Sequence, residues 1–465
     1  MNDALLKLRS VLKTIPLNDN QINNILGIIN TQNKEIYNTI TPLLEEYYSY
    51  GIERDYTNSS PKCIRIGNLD LHRSLPIQSK MRGCLLDDDG NVVEYLPEND
   101  WTTAIRDGSK GQVMVEIPMH YRKFETKSTK HIVRLSEYPL SGYHKVPKMY
   151  VSAYEASIEW SSGKLCSVVN YDADYRGGSN NVEWDETYRS LLGRPITKMN
   201  RTEFRSAARK RNPSNTSWNC YLYHVHKAIF WLYTVEYADL NSQLSYTSEL
   251  TSQGFRQGGL GIGVSNFSLW NEFNSYLPLV PCGHTDTLGN NTGIVDYTIY
   301  NKDNLKLNTL NVPRYRGIEN PFGHIWKITD GINICISPTD VNGGDNLLKV
   351  FVCENPSKMN DTNYNGYKYV GNGTCSDGYV KEIIFGEEGE IIPSLVGGSS
   401  TQYFCDYHVT IISPEIEKLY CIILGGNAMQ GEYDGLIYSR MNVLPSGIHS
   451  AFGSRLCFIP QQNKN

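Results

Sequence analysis

The residues of this chain that could act as a nucleophile, a base or a metal ligand are scattered along it. Cys282, His284 and Asp286 are close in sequence and could supply a nucleophile and its base, but closeness in sequence is not catalytic geometry. No G-x-S-x-G motif is present. On a helix, His224 and His226 would point about 200° apart, which does not suit a shared ion. We therefore predict no catalytic residue, no cofactor and no metal site, and hence no enzyme.

Three loops contain residue patterns that resemble a catalytic, calcium-binding or nucleotide-binding site, but none of the three patterns is specific. Four acidic residues surround Arg176, namely Asp172, Asp174, Glu183 and Asp185. They could form the carboxylate pair of a glycoside hydrolase, although a solvated loop of this composition supplies the same residues. Residues 87–91 begin like a calcium-binding loop but lack its closing glutamate, so we predict a hairpin turn at Asp89 and Gly90. The glycines at 258–263 do not follow G-x-G-x-x-G, which argues against a nucleotide site.

Charge and hydropathy exclude several classes of partner. The 465 residues include 44 Lys and Arg against 49 Asp and Glu, a net charge of −5. This balance gives no attraction to nucleic acid or anionic lipid. No apolar run is long enough to span a membrane, and charges interrupt the N-terminus where a secretory signal would be apolar. We therefore expect no nucleic-acid partner, no membrane insertion, and synthesis in the cytoplasm.

Two residue types stand out in the composition. The 11 cysteines are an odd number without a C-x-x-C pair, which is typical of buried thiols rather than of disulfides or zinc. The 32 tyrosines accompany 39 glycines and many Asn and Ser residues, a composition typical of recognition surfaces. A loop-rich β protein without such a surface has the same composition, so both interpretations stay open here.

The N-terminal 52 residues predict a helical segment for oligomerisation or attachment. Asn18 and Gln21 have the spacing of a capping box. Apolar residues then follow at alternating spacings of four and three, with one polar member: Ile22, Leu26, Ile29, Asn33, Ile36, Ile40, Leu43 and Tyr47. This is a heptad seam and indicates a coiled coil, in which Asn33 would set the register. The alternative is an amphipathic helix packed on its own domain. Pro42 should kink or restart the helix.

The rest of the chain divides into two predicted regions. Residues 53–145 are mostly strand and turn, with a strand at 111–118, and form a connecting region. Residues 146–465 carry two helices, one starting at a capping box of Asn200 and Glu203, the other from about 221 to 240. Short strands follow, and an apolar stretch at 456–459 predicts a buried terminal strand. The expected fold class is therefore α+β.

The C-terminal segment has the pattern of a binding face. In residues 425–442 and 446–458, large side chains of mixed chemistry alternate with small ones. A loop held by strands and carrying Tyr, Arg, Met and His residues is a common way to build such a face.

This segment also resembles a known family. The sequence Gly-Ser-Arg-Leu-Cys-Phe at 453–458 follows a segment of alternating large and small residues that begins near Gly425. Together they are similar to the variable region of proteins diversified by diversity-generating retroelements. Those of gut Bacteroidales phages, including crAss-like phages, are the nearest. Further stretches resemble the same family, at 75–84, 143–150, 236–243 and 312–323, so the similarity covers about residues 56–459.

The resemblance implies a fold, a role and a site. The fold would be a C-type-lectin-like domain of the formylglycine-generating-enzyme-like kind. The role would be that of a phage virion fibre or adhesin subunit, often trimeric, that binds a host surface glycan or protein and contacts other virion proteins through its N-terminal segment. The candidate ligand-binding residues would be Met429, Gln430, Glu432, Tyr433, Asp434, Tyr438, Arg440, Met441, Asn442, Leu444, Ile448 and His449. Two alternatives are a structural head or tail component without receptor binding, and an enzyme acting on surface polysaccharide.

Overall fold

The chain is mostly β. The computed structural model describes residues 33–266, 278–338, 347–410 and 416–461, with backbone alone for 33–40, and the single positions 11–13, 15, 21, 25, 269 and 414. Strands hold 35% of the residues and helices 15%, in several sheets. The predicted class, an α+β C-type-lectin-like domain after a coiled-coil segment, is therefore wrong. Helices of several turns show their period in sequence, whereas strands of two to four residues show none, so the sequence overstated the helical share.

The described α-helices are α1 Asn33–Tyr48, α2 Leu69–Ser74, α3 Arg201–Arg209 and α4 Tyr223–Tyr237. The capping box predicted for α3 is confirmed: the Asn200 side chain accepts from the Glu203 N–H, and the Glu203 carboxylate accepts from the Asn200 N–H at 2.8 Å. The second predicted helix is confirmed as α4, which is buried on nearly every side. α4 ends where Ala238 adopts a left-handed conformation.

In the described part of the N-terminal segment, no coiled coil is evident. Of the predicted seam, Ile22, Leu26 and Ile29 lie outside the described residues. Asn33, Ile36 and Ile40 lie on α1, and Leu43 and Tyr47 near its end are 65% and 67% exposed. The part of the seam on α1 covers about two heptads, fewer than the three or four that indicate a coiled coil. Pro42 lies inside α1 and does not end it.

The described residues of the first half of the chain form twelve strands. They are β1 Tyr50–Asp55, β2 Ile64–Gly67, β3 Arg82–Leu86, β4 Val92–Tyr95, β5 Gln112–Ile117, β6 His120–Lys127, β7 Lys130–Ser136, β8 His144–Val146, β9 Met149–Ser152, β10 Ser157–Glu159, β11 Lys164–Cys166 and β12 Trp218–Cys220. The predicted strand at 111–118 is confirmed as β5. The hairpin turn predicted at Asp89 and Gly90 is confirmed between β3 and β4, where the Gly90 N–H donates to the Asp87 carbonyl at 3.0 Å.

The second half contributes the other described strands. They are β13 Gly293–Tyr300, β14 Lys306–Tyr315, β15 Ile318–Glu319, β16 Trp326–Ser337, β17 Leu347–Val352, β18 Lys368–Gly373, β19 Gly378–Ile383, β20 Pro393–Val396, β21 Tyr407–Val409, β22 Lys418–Leu424, β23 Ser439–Val443, β24 Phe452–Gly453 and β25 Leu456–Phe458. The buried terminal strand predicted at 456–459 is confirmed as β25.

These strands form three larger sheets. A five-stranded sheet has the order β2-β1-β7-β6-β8, and a six-stranded sheet has the order β12-β25-β9-β5-β3-β4. The predicted division between residues 145 and 146 runs through the second sheet, because β3 to β5 come from one side of it and β9, β12 and β25 from the other. The largest sheet has the order β18-β17-β16-β22-β23-β21-β19-β20, and β24 pairs with β16. Strands β10-β11 and β13-β14-β15 form two small sheets.

The main hydrophobic core surrounds α4. Val225, Ile229 and Leu232 of this helix belong to one buried cluster with Ile52 of β1 and Ile334 of β16. The helix thus joins the five-stranded sheet to the largest sheet. Strand β16 is buried along eleven of its twelve residues, so it forms the centre of the largest sheet. A long buried strand of this kind holds its ends rigidly, and the candidate site lies at its beginning.

Candidate functional site

Three strand pairings bring the C-terminal segment to the start of β16. Trp326, the first residue of β16, pairs with Phe452 of β24 in parallel. Leu424, the last residue of β22, pairs with Lys327 of β16 on one side and with Ser439 of β23 on the other. The 425–438 loop therefore starts and ends beside the first residues of β16, and the 444–451 loop, which leaves the far end of β23, ends there.

These loops and strands enclose a pocket of about 250 Å³, the C-terminal pocket. Its lining residues are Trp326, Asn427, Met429, Gln430, Arg440, His449 and Phe452. Met429, Gln430, Arg440 and His449 were predicted from sequence, whereas Trp326, Asn427 and Phe452 were missed. The lining combines two aromatic rings, a thioether, two amides, a guanidinium and an imidazole, and these seven residues include no carboxylate. Apolar walls with a few convergent polar groups are the usual make-up of a small-ligand site.

The other predicted site residues lie outside the lining. Glu432, Leu444 and Ile448 are exposed, and Asn442 is half-buried. Asp434, Tyr438 and Met441 are buried, so a ligand on the surface does not reach them. Tyr438 instead supports the pocket from below, because its ring packs on Trp326 at 4.6 Å between centroids and its hydroxyl donates to Gln430 Oε1 at 2.7 Å.

A cluster of four tyrosines adjoins the pocket through Tyr438. Tyr433 stacks on Tyr407 with ring centroids 4.3 Å apart and meets Tyr379 at 5.5 Å. Tyr407 meets Tyr438 at 6.2 Å. Tyr379 and Tyr407 were missed from sequence, because the pairing of β19 with β21 places them opposite each other. Tyr433 is 37% exposed and is the most accessible ring of this tyrosine cluster.

Arg440 gives the pocket a positive charge, and His449 is the other ionisable group of its lining. Arg440 is exposed, and its Nε donates to Asn442 Oδ1 at 2.8 Å. His449 Nδ1 accepts from the Ala451 N–H at 3.1 Å, which places the proton of the neutral ring on Nε2. Burial and the nearby Arg440 charge lower the pKa of His449. An anion in the pocket would oppose this shift, because it favours the charged imidazolium.

A buried ion network fixes the backbone beside the pocket. The Lys327 ammonium donates to the Gly323 carbonyl at 2.7 Å and to the Ile325 carbonyl at 3.0 Å, and it pairs with Glu155 at 2.9 Å. His324 donates from Nδ1 to Glu155 at 2.5 Å, since its Nε2 accepts two backbone N–H groups. Burial opposes ionisation of Glu155, yet Lys327 and His324 lower its pKa to about 2. The network holds the chain immediately before Trp326 in place.

Two buried carboxyl groups lie under the 425–438 loop. Asp406 Oδ2 accepts from the Ile437 N–H at 2.8 Å. Among the described residues, Asp406 Oδ1 and both oxygens of Asp434 have no hydrogen-bond partner. Burial raises the pKa of Asp406 and of Asp434 well above the usual carboxyl range, although the Lys327 charge opposes the rise at Asp434. The protonated form of each acid is therefore favoured in the folded protein.

Asp434→Asn is expected to raise the midpoint of thermal unfolding at pH 8 and to leave it nearly unchanged at pH 4. Unfolding lets Asp434 ionise above its ordinary pKa of about 3.9. Because the folded pKa is raised, this carboxyl destabilises the fold increasingly as the pH rises above that value. Asparagine does not ionise, so the stability of the variant does not fall with rising pH for this reason. Circular dichroism melts from pH 4 to 8 measure the difference. Asp303→Asn, at an exposed turn, is the control, and an equal shift at every pH would contradict the prediction.

The other sequence candidates form no catalytic site. The Cys282 thiol faces the Glu155 carbonyl at 3.5 Å, and His284 faces the Asp296 carbonyl at 3.0 Å, so the two are not directed at each other. The loop around Arg176 is tied internally, because Asp185 pairs with this arginine. His226 bonds the Leu436 carbonyl at 2.5 Å and so supports the 425–438 loop.

Within the described ranges, no group of three or more His, Cys, Asp and Glu side chains is arranged to hold a metal ion. No helix in this part of the chain is both long and apolar enough to cross a membrane. The chain matches no model of a known protein family and no curated protein.

Proposed function

We propose that this chain is a receptor-binding subunit of a phage virion, which attaches to a host cell-surface glycan or protein. The observation that carries the proposal is the C-terminal pocket, where four of the twelve predicted ligand-binding residues meet two aromatic rings. The tyrosine cluster beside it extends this surface with aromatic area. Aromatic and arginine side chains dominate binding energy at recognition surfaces.

The scaffold supports a binding role for the loops. The 425–438 loop is anchored by buried groups, including His226 and Asp406, while Tyr433 and Arg440 are exposed. Side chains on a rigid base lose less conformational entropy on binding. The family resemblance at 453–458, if it holds for this chain, would put the variable residues in the same segment, which supports the proposal.

The test is the attachment of the purified full chain to intact cells of a panel of gut Bacteroidales strains, measured by flow cytometry. Arg440→Ala is expected to lower binding to a positive strain at least tenfold, because the exposed guanidinium is a central polar group of the pocket. Lys302→Ala removes an exposed cation from the β13–β14 turn and should bind like the wild type. Full binding by Arg440→Ala would contradict the proposal and favour a structural role in the head or tail.

We also propose that the chain forms a homotrimer through the outer face of α1. Leu43 and Tyr47 lie one helical turn apart and are both about two-thirds exposed. Large apolar side chains that adjoin each other on a surface mark sites of association. Three binding faces on one assembly would add avidity.

Leu43→Glu combined with Tyr47→Glu is expected to convert the trimer to a single chain. The physical reason is that charges at these positions cannot be buried between subunits without a large desolvation cost. Light scattering should give a mass of three times 52.7 kDa for the wild type and 52.7 kDa for the variant. Leu250→Glu alters an exposed leucine elsewhere and should leave the mass unchanged. A single-chain mass for the wild type would contradict the prediction.

A further inference from the structure

The charges around the C-terminal pocket favour an anionic ligand. Arg440 of β23 and His449 of the 444–451 loop are the ionisable groups of the lining. The exposed Lys198 adds a third basic residue, since its N–H donates to the His449 carbonyl at 3.1 Å. Asp434, the acid nearest to Tyr438 under the pocket, is buried, and its pKa is raised, so it contributes little negative charge. Glu432 is exposed on the far side, near Tyr379.

The remaining lining residues favour a single ring with hydroxyl groups. Phe452 of β24 is half-buried and supplies aromatic surface, with the buried Trp326 of β16 beside it. Gln430 Oε1 accepts from Tyr438, so the two N–H donors of its amide remain for a ligand oxygen. The cavity of about 250 Å³ is smaller than the ~300–1,000 Å³ typical of drug-sized ligands, which suits one ring rather than an extended peptide.

We infer that the C-terminal pocket recognises an acidic sugar residue, whose carboxylate pairs with Arg440 and His449 while its ring lies against Phe452. This inference rests on the proposed function and specifies its ligand. A guanidinium matches the geometry of a carboxylate by two parallel hydrogen bonds. An imidazolium adds a second charge-assisted donor, so binding strengthens as the pH falls and His449 gains its proton.

The experiment titrates the full chain with glucuronic acid, N-acetylneuraminic acid, glucose and N-acetylglucosamine, followed by NMR of the protein at pH 6 and pH 8. We expect both acids to bind at least tenfold more tightly than both neutral sugars, and more tightly at pH 6 than at pH 8. Arg440→Gln should lower acid binding at least tenfold. His449→Gln should remove the difference between the two pH values. The His449 ring resonances should report a raised pKa when glucuronic acid is present.

Several results would overturn this inference. Equal binding of acidic and neutral sugars would do so, as would wild-type affinity in Arg440→Gln. Tighter binding of a short poly-glutamate peptide than of either sugar acid would assign the pocket to an acidic protein instead. If cell attachment still depends on Arg440 in any of these cases, the proposed receptor-binding function stands and only its ligand is wrong. If attachment is independent of Arg440, the proposed function itself fails. Thermal melts of each variant confirm that the fold is intact.

Discussion

Lys327→Met is expected to lower the free energy of unfolding by about 3–5 kcal/mol. The Lys327 ammonium is fully buried and donates to two backbone carbonyls as well as to Glu155. Methionine fills a similar volume but leaves the Glu155 charge with His324 as its remaining partner, and leaves the Gly323 and Ile325 carbonyls without this donor. Removing one partner of a buried pair is costly because the other charge stays away from water. Guanidinium denaturation followed by fluorescence measures the loss.

The matched control is an exposed ion pair. Lys110 and Glu94 lie 3.1 Å apart, with side chains 45% and 42% exposed. Lys110→Met should therefore cost less than about 1 kcal/mol. Adding Glu155→Gln to Lys327→Met should recover part of the loss, since glutamine carries no charge and its amide oxygen still accepts from His324. A loss below about 1 kcal/mol in Lys327→Met, or no recovery in the double variant, would show that the network is not a buried ion pair of this strength.

Tyr438→Ala is expected to destabilise the fold by about 3–5 kcal/mol, the usual cost of deleting a large buried ring. Tyr438 is 1% exposed, packs on Trp326 and bonds Gln430, so its removal leaves a cavity beneath the C-terminal pocket. Tyr433→Ala should change stability by less than about 1 kcal/mol, because Tyr433 is 37% exposed. It should nevertheless lower attachment to host cells at least tenfold, since an accessible ring is a typical anchor.

The two tyrosine variants are distinguished by measuring stability and cell attachment on the same samples. Tyr433→Phe keeps the ring and is the control for the loss of its aromatic surface. A large loss of stability in Tyr433→Ala, or none in Tyr438→Ala, would mean that the burial of the two rings is misassigned. Unchanged attachment by a stable Tyr433→Ala variant would exclude the tyrosine cluster from the binding surface.

Local patterns in the sequence predicted local elements correctly. The capping box of Asn200 and Glu203 starts α3, and the turn at Asp89 and Gly90 joins β3 to β4. These depend on hydrogen bonds between residues a few positions apart. The overall class could not be predicted in the same way. Strands such as β8 and β12 have three residues each and are defined by their partners, so their sequences carry no readable period.

The candidate site was predictable in part. Met429, Gln430, Arg440 and His449 lie in one segment whose composition indicated a binding face. A further signal was present in β23, where exposed Arg440 is followed by buried Met441, as expected for the alternation of a strand. Applied to 439–443, this rule would have removed Met441 from the predicted site. No local rule identifies Trp326, because β16 reaches the pocket through its pairing with β22 and β24, which are distant in sequence.

The sequence by itself determined the start of α3, the turn at Asp89 and Gly90, the terminal strand and the segment that carries the candidate site, since each depends on neighbouring residues. Only the tertiary structure decided which side chains of that segment are accessible and what lies beneath them. Glu155 and His324 are 169 residues apart in sequence and meet in one buried network. Tyr379 and Tyr407 become neighbours through strand pairing. Such contacts depend on the register and packing of distant strands, which arise when the whole chain buries its apolar surface together.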